Sequence, residues 1–281
     1  MNQLQLKEQL KQFLIEDIGR GDRSVEAIFA PTDRDEGIFL LKEAGVVCGL
    51  WLAPMIYDLL GGDVTFTSLV AEGTQQSAGT AIAEVRGPIA VLLTGERLIL
   101  NLWQRMGGIA TATKLAIDTL ADPTTRVCDT RKTVPGLREL DKYAVTQGGG
   151  FNHRFGLDDG IMLKDNHIAY AGGITQAVEQ VRRNTGHMIK IEVEIETLDQ
   201  FKEAHDCGVD IIMLDNRTPA EIKQFLKYNK KQLTTEISGG VTPQNIRQYA
   251  GCGADYISLG YLTHSVTALD ISFNSKNNGK I

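Results

Sequence analysis

Basic side chains are concentrated in three short motifs in the middle of this 281-residue sequence. The motifs run from Asp129 to Gly136, from Gln147 to Arg154 and from Leu163 to His167. Like charges that gather at one place repel each other, so a cluster of them is unfavourable without an anionic ligand. If the motifs converge, they predict a binding site for a small, highly charged anion. Their basic residues are Arg131, Lys132, His153, Arg154 and Lys164.

Two acidic residues, Glu194 and Asp215, each close an apolar run that is typical of a strand. Two carboxylates at one edge of a sheet could bind a metal, accept hydrogen bonds from sugar hydroxyls or stabilise a cation. Surface salt bridging is the alternative, and for Glu194 it carries weight because Glu192 and Glu196 make the stretch acidic. These residues alone leave the alternatives open.

Small residues close two further apolar runs, at Ser238-Gly239-Gly240 and at Ser258-Leu259-Gly260. Glycine lets the backbone approach an anion closely, and backbone N–H groups at such positions bind phosphate in many barrel enzymes. A pair of tight turns is the alternative interpretation. His264 follows four residues after Gly260, where it could reach the same anion or cap the barrel.

The elements that must position these residues repeat along the second half of the chain. Four apolar runs end about 22 residues apart, which suits one strand plus one crossover helix. Helix starts are marked by capping-box pairs and by prolines, namely Thr197 with Gln200, Thr218 with Glu221, Pro219 and Pro243. With Arg126–Asp129 and Gly160–Leu163 added, at least six strands are available. A barrel is favoured over an open sheet because no early G-x-G-x-x-G turn is present, and barrels carry their chemistry at the C-terminal strand ends.

The first hundred residues show a mixed pattern. Strands are predicted at Gly37–Cys48 and Ala81–Val85. Apolar residues at helical spacing predict an opening helix through Leu4, Leu6, Leu10, Phe13 and Leu14. The same spacing predicts a long helix through Leu98, Leu102, Met106 and Ile109, which should link this region to the next.

Composition excludes several classes of function. The net charge of −6 is unusual for a nucleic-acid binder. The apolar stretch from Ile89 to Trp103 contains Glu96 and Arg97, so we expect no membrane span, and the charged N-terminus lacks a signal-peptide pattern. We therefore predict a cytoplasmic protein. The four cysteines form no C-x-x-C pair and are expected to be buried, reduced thiols.

Five motifs occur in one order and spacing: Thr130-Arg131-Lys132-Thr133-x-Pro135-Gly136, Asn152-His153-Arg154, Lys164-Asp165-Asn166-His167, Leu214-Asp215-Asn216 and Ser238-Gly239-Gly240. This ordered set closely resembles the quinolinate phosphoribosyltransferase family, also called carboxylating nicotinate-nucleotide pyrophosphorylases. The resemblance extends from Glu16 to His264 and so covers nearly the whole chain. The Arg23-Ser24 stretch departs slightly from the family's usual Gly-Asp-x-Thr beginning.

The resemblance implies an enzyme that joins quinolinate to 5-phosphoribosyl-1-pyrophosphate and yields nicotinate mononucleotide, pyrophosphate and carbon dioxide, a step in NAD biosynthesis. It implies Mg²⁺ as cofactor. It also implies an N-terminal α/β sandwich, expected at residues 1–110, and an incomplete α/β barrel of six or seven strands, expected at residues 111–266. The tail, residues 267–281, should pack on the first domain. A homodimer, or a multiple of dimers, should share its active sites between subunits.

The resemblance also implies roles for single residues. The quinolinate carboxylates should meet Arg131, His153, Arg154, Lys164 and, from the neighbouring subunit, Arg105. The phosphoribosyl pyrophosphate should meet Lys132, Glu194, Asp215, Ser238, Gly239, Gly240, Ser258, Gly260 and His264. The residues expected to act in catalysis are Lys132, Lys164, Glu194 and Asp215. Glu194 and Asp215 should also bind Mg²⁺, directly or indirectly.

Three alternative interpretations fit the sequence less well. A related group associated with molybdenum transport shares the fold, but the intact motifs at Asn152–Arg154 and Lys164–His167 favour the quinolinate enzyme. A non-catalytic binder of phosphorylated metabolites would not need paired carboxylates beside a ring of cations. A barrel phosphosugar isomerase would use the phosphate site but would not need three basic motifs.

Overall fold

A computed structural model gives the fold and describes residues 1–276. The helices of these residues are α1 (Gln3–Ile18), α2 (Arg23–Ile28), α3 (Leu52–Leu59), α4 (Ile89–Leu120), α5 (Arg138–Gln147), α6 (Asp165–Ala171), α7 (Ile174–Asn184), α8 (Leu198–Cys207), α9 (Pro219–Leu226) and α10 (Tyr261–His264). The strands are β1 (Arg34–Leu41), β2 (Gly45–Val46), β3 (Thr65–Ser68), β4 (Gln75–Gln76), β5 (Ala81–Pro88), β6 (Arg126–Cys128), β7 (Ile161–Leu163), β8 (Ile191–Ile195), β9 (Ile211–Asp215), β10 (Thr234–Ser238), β11 (Tyr256–Ser258) and β12 (Ile271–Ser275).

The chain divides into two compact units. Of the described residues, the first unit contains 1–112, 139–148 and 266–276, and the second contains 113–138 and 149–265. Residues 139–148, which form most of α5, therefore group with the first unit, whereas the sequence prediction placed them in the barrel domain. Residues 277–281 of the predicted tail lie outside the described residues.

The first unit is built on an antiparallel sheet with the order β12-β1-β5-β3. The last strand pairs with the first, with Gly37 opposite Ser275 and Leu41 opposite Ile271. A Cβ at Gly37 would lie 2.2 Å from the ring of Phe273, so only glycine allows this ring to cover β1. The predicted strand Gly37–Cys48 is interrupted after Leu41 by a bend that exposes the charged residues 42 and 43, and it resumes only at Gly45–Val46.

Helices pack on the core of the first unit through the apolar positions that their spacing predicts. Helix α1 buries Leu6, Leu10 and Leu14. Leu4, which the sequence prediction placed on the same face, is 81% exposed and does not pack on the core. The predicted long helix is α4, and its indole at Trp103 donates a 2.7 Å hydrogen bond to the carbonyl of Gly49. Among residues 1–276, none of the helices combines the length and the apolarity that crossing a membrane requires.

The second unit is built on one parallel sheet with the order β6-β11-β10-β9-β8-β7. Strands β6 and β7 form its two edges, so the sheet is not closed, in agreement with the predicted incomplete barrel of six or seven strands. Because all strands run the same way, their carboxyl ends meet at one edge. There Ser238 lies opposite Asp215, and Ser258 lies opposite Cys128.

Local capping signals position two of the crossover helices. Thr197 with Gln200 and Thr218 with Glu221 form the two predicted capping boxes, so α8 and α9 start where expected. The helix start predicted at Pro243 is wrong. The Asn245 side chain accepts a 2.7 Å hydrogen bond from the backbone of Thr242 and closes a turn there, and only a single turn of 3-10 helix follows, at Ile246–Tyr249.

Candidate active site

The carboxyl ends of the parallel strands surround a cavity of 620 Å³, which we call the strand-end cavity. Eleven of the predicted site residues line it, so the three basic motifs do converge as the sequence predicts. The lining residues are Thr130, Arg131, Lys132, His153, Arg154, Met162, Lys164, Glu194, Met213, Asp215, Asn216, Glu236, Ser238, Gly239, Gly240 and Ser258.

Two arginines form the most strongly cationic part of this cavity. The Nε atom of Arg131 is buried and has no hydrogen-bond partner within residues 1–276. Arg154 donates a 2.7 Å hydrogen bond from Nη1 to the carbonyl of Gly160. Burial, and next the charge of Arg131, lower the pKa of Arg154. A buried guanidinium nitrogen that lacks an acceptor, beside a second guanidinium, is a place for a ligand with acceptor oxygens.

Lys132 stands at the rim of the cavity, and its backbone is fixed on both sides. Its N–H donates to the Thr130 hydroxyl at 3.0 Å, and its carbonyl accepts from the Thr263 hydroxyl at 2.9 Å. A Cβ at Gly260 would lie 3.1 Å from Cδ of Lys132 and 3.3 Å from Nε2 of His264. Gly260 and His264 therefore adjoin Lys132, although neither lines the cavity itself.

The two predicted carboxylates lie on neighbouring strands, Glu194 on β8 and Asp215 at the end of β9. Glu194 forms an ion pair with Nζ of Lys164. Asp215 accepts a 2.6 Å hydrogen bond from the side-chain amide of Asn216. Lys164 is thus shared between the acidic pair and the cationic cluster, which single motifs could not reveal.

The turn after β10 is shaped by left-handed backbone conformations. Gly239 has φ +77°, and a Cβ there would lie 2.3 Å from Oδ1 of Asn216. Asn216 itself has φ 52°, and its N–H donates a 2.9 Å hydrogen bond to the carbonyl of Ser238. The close approach of the two loops leaves no room for a side chain at Gly239.

Below the arginines lies a buried cluster of His153, Glu192 and Glu236, whose nearest polar atoms all lie within 4.8 Å of one another. Nε2 of His153 is 3.1 Å from Oε2 of Glu192 and 3.6 Å from Oε1 of Glu236. Burial, and next the charge of Glu192, raise the pKa of Glu236. The sequence interpretation missed both glutamates.

A signal for them was present in the sequence. Side chains two residues apart on a strand point to the same face, so Glu192 shares a face with Glu194, and Glu236 shares one with Ser238. In the sequence interpretation Glu192 counts only toward the acidity of the stretch, and Glu236 has no role.

Arg105 lies in the first unit, on α4, and is not among the residues that line the strand-end cavity. Its guanidinium is paired with the fully buried Asp141 of α5. The contact of Arg105 with quinolinate bound in the neighbouring subunit therefore remains a prediction.

Comparisons with known proteins identify the family. Residues 22–107 match the N-terminal domain of quinolinate phosphoribosyl transferase, and residues 109–274 match its C-terminal domain. A probable nicotinate-nucleotide pyrophosphorylase [carboxylating] of Bacillus subtilis is 48% identical over 98% of this chain and 94% of its own length. A mitochondrial quinolinate phosphoribosyltransferase [decarboxylating] 2b of Nicotiana tabacum is 38% identical, over 95% of this chain and 81% of its own.

The fold agrees with solved structures as well. The crystal structure of NadC from Streptococcus pyogenes superposes with a TM-score of 0.95 at 39% identity, over 98% of this chain and 97% of that one. A nicotinate-nucleotide pyrophosphorylase from Francisella tularensis gives a TM-score of 0.93 at 33% identity, over 98% of both chains. Both units of the molecule are thus accounted for, and the chain belongs to the quinolinate phosphoribosyl transferase family.

Proposed function

We propose that this protein is a quinolinate phosphoribosyltransferase that makes nicotinate mononucleotide for NAD biosynthesis. It joins quinolinate to 5-phosphoribosyl-1-pyrophosphate and releases pyrophosphate and carbon dioxide. The observation that carries the proposal is the unpartnered, buried Nε of Arg131 beside Arg154, at the strand ends of a chain that belongs to this family. Both substrates are small polyanions, the ligands that such a cluster favours.

Quinolinate is a pyridine with two adjacent carboxylates, and the arginine side of the cavity suits it. The planar guanidinium groups of Arg131 and Arg154 match carboxylate geometry with paired N–H donors. Lys164 lies between this side and the carboxylate of Glu194, so it could contact a substrate carboxylate and the pyrophosphate. The family resemblance also assigns His153 to quinolinate.

The phosphoribosyl pyrophosphate fits the opposite side of the cavity. Lys132, as a point charge at the rim, suits the pyrophosphate. The 5′-phosphate suits the turn after β10 and the end of β11, where glycines let backbone N–H groups approach an anion. The residues proposed for it are Ser238, Gly239, Gly240, Ser258, Gly260 and His264.

Glu194 and Asp215 are proposed to serve the ribose and the cofactor. Their carboxylates sit on neighbouring strands and line the cavity, and carboxylate oxygens are the ligands that Mg²⁺ prefers. The donor set therefore fits Mg²⁺, with Glu194 and Asp215 holding it directly or through water. When bound, Mg²⁺ would neutralise charge on the pyrophosphate.

The reaction breaks the bond between C1′ of the ribose and the pyrophosphate oxygen and forms a bond from C1′ to the pyridine nitrogen. Positive charge develops on the ribose as the first bond breaks, and Glu194 and Asp215 stabilise it electrostatically. The quaternary ring nitrogen then stabilises the electron pair that is left when the adjacent carboxylate departs as carbon dioxide. A proton replaces it at that carbon, so the protein needs no covalent nucleophile.

The assembly and the cellular location are also part of the proposal. We propose a homodimer, or a multiple of dimers, in which Arg105 of each subunit reaches the partner's strand-end cavity. We further propose that the enzyme acts in the cytoplasm, without a nucleic-acid or membrane partner.

The test is an assay of the purified protein with quinolinate, phosphoribosyl pyrophosphate and Mg²⁺, in which nicotinate mononucleotide, pyrophosphate and carbon dioxide are each measured. We expect the three products in equal amounts, and no reaction when nicotinate replaces quinolinate, because the second carboxylate is then missing. Turnover of nicotinate without turnover of quinolinate would refute the assignment and indicate a different phosphoribosyltransferase.

A further inference from the structure

The ring of His153 is engaged through both of its nitrogens. Nδ1 accepts a 2.8 Å hydrogen bond from the backbone N–H of Arg154, and Nε2 faces Glu192 at 3.1 Å. A nitrogen that accepts from a backbone N–H carries no proton of its own. The proton of a neutral imidazole must therefore sit on Nε2, where it points at Glu192.

The same hydrogen bond decides against a metal ion in this cluster. A divalent cation held by His153, Glu192 and Glu236 would need the lone pair of a ring nitrogen. Nδ1 already uses its lone pair for Arg154, and a metal on Nε2 would require Nδ1 to be protonated and so to face another donor. The cluster is consequently better described as a hydrogen-bonded support than as a metal site.

His153, Arg154 and Glu236 stand between two cavities of the second unit. All three line the strand-end cavity, and all three also line a smaller cavity of 310 Å³ on the other side. Glu192 and Glu236 are each only 4% exposed, so their positions are set by the strands β8 and β10 that carry them. The two glutamates are thus held in place by strands, whereas residues 151–154 belong to the segment that connects β6 with β7.

Arg154 is held both at its backbone and at the end of its side chain. Its backbone N–H is held by His153, and its guanidinium is held by the carbonyl of Gly160. The backbone N–H of His153 is in turn held by Asp129 at 2.9 Å. A shift of the imidazole would therefore move the backbone from which the Arg154 side chain enters the strand-end cavity.

We propose that Glu192 is a positioning residue for quinolinate: it accepts the Nε2–H of a neutral His153, and His153 fixes Arg154. The inference rests on the proposed function for its substrate.

The protonation of the ring can be measured without any activity. In ¹⁵N-labelled wild-type enzyme, the His153 signal, assigned by its loss in His153→Gln, should show a neutral ring with its proton on Nε2 between pH 6.5 and 8. A ring protonated on both nitrogens, or on Nδ1 alone, overturns the proposal, whatever the enzyme catalyses.

Kinetics test the positioning role separately. Glu192→Ala should raise the KM for quinolinate about tenfold, because the Nε2–H loses its buried acceptor. The KM for phosphoribosyl pyrophosphate should change less than about twofold, since its proposed ligands lie on other strands. Glu192→Gln should recover most of the loss, because its amide oxygen still accepts from Nε2–H.

The matched control is Glu203→Gln, which changes a glutamate that bonds Thr175 between two helices. It should leave both KM values unchanged. Equal increases in both KM values for Glu192→Ala, or a loss confined to the amount of folded enzyme, overturn the positioning role. Absence of any nicotinate mononucleotide from wild type would instead refute the proposed function, and the ring protonation would still decide the hydrogen-bond arrangement.

Discussion

Arg105 donates two parallel hydrogen bonds to Asp141, from Nε to Oδ1 and from Nη2 to Oδ2, each 2.8 Å long. Asp141 is fully buried, and the side chain of Arg105 is 20% exposed. The paired geometry fixes the plane of the guanidinium before any substrate arrives, which lowers the entropy cost of using it as an anion ligand.

Asp141→Asn should therefore be costly, since it leaves the Arg105 charge without its buried partner. We expect the free energy of unfolding to fall by about 3 kcal/mol. The matched control is Asp118→Asn, which breaks the exposed pair with Lys114 and should cost less than about 1 kcal/mol. Urea denaturation of the three proteins measures both effects, and equal losses in the two variants would contradict the expectation.

Shared active sites can be tested by mixing inactive subunits. Arg105→Ala has an intact cavity, and Lys132→Ala has an intact Arg105. If Arg105 acts in the partner's cavity, each mixed dimer contains one complete site, so random mixing should restore about a quarter of wild-type activity. Each variant subjected to the same mixing procedure alone is the control. A mixture no more active than its components would show that Arg105 does not act across subunits.

Arg131→Lys should keep the charge and lose the paired donors. We expect kcat/KM for quinolinate to fall on the order of a hundredfold, because an ammonium does not match two carboxylate oxygens at once. Arg126→Lys is the control: its guanidinium stacks 4.8 Å from the ring of Phe151, and Arg126 lines neither cavity. Steady-state kinetics with both substrates provide the measurement, and a smaller loss than about threefold in Arg131→Lys would count against its carboxylate role.

Gly239→Ala should damage the proposed phosphate site. The new Cβ would lie 2.3 Å from Oδ1 of Asn216 in a left-handed conformation, so the turn after β10 must move. We expect the KM for phosphoribosyl pyrophosphate to rise at least about tenfold. Gly251→Ala has a similar φ of +67° but meets nothing within 4 Å, so it tests backbone strain without a clash. It should lower stability by about 1 kcal/mol and leave both KM values unchanged.

Stability should depend on pH through Glu236. Burial and the charge of Glu192 raise its pKa from 4.5 to about 7, so the folded protein holds this proton more tightly than the unfolded chain. The resulting stabilisation is fully present below pH 4.5 and is lost as pH rises through 7. Glu236→Gln should lack this component.

The measurement compares urea denaturation of wild type and Glu236→Gln at pH 5 and pH 8. The difference in unfolding free energy between the two proteins should change with pH in the direction just given. The groups that face Glu236 are Glu192, His153, Asp129 and the Ser258 hydroxyl, and they are unchanged in the variant. A difference that does not vary with pH would show that Glu236 titrates normally.

Much of the site could be predicted because the parallel strands are regular. Residues at the ends of successive strands must meet at one edge, and so the strand-end positions of Lys164, Glu194 and Asp215 followed from periodicity alone. The pairing of Lys164 with Glu194 could not be predicted, because it depends on how far one strand is displaced against the next. The side chain of Asn216 leaves room only for glycine at position 239. Asn216 lies within one of the five motifs, but no local signal in the sequence predicts its φ of 52°.

The buried glutamates show a different limit. Alternation places Glu192 and Glu236 inside, but burying carboxylates is normally unfavourable, so periodicity alone argues for a solvated stretch. Only the position of His153, brought in by a loop between β6 and β7, gives them a partner. Likewise, the strand predicted at Gly37–Cys48 ends at Leu41, opposite Ile271 of a strand more than 200 residues away, and no local signal marks that end.

That pairing has a consequence for how the protein is made. The sheet of the first unit needs β12 at its edge, with Phe273 against Phe39, yet β12 follows the second unit along the chain. The whole second unit is synthesised before this edge can be covered. During translation the nascent chain must therefore carry an open strand β1, which makes it a binding target for chaperones and a point of vulnerability to aggregation until synthesis passes Ser275.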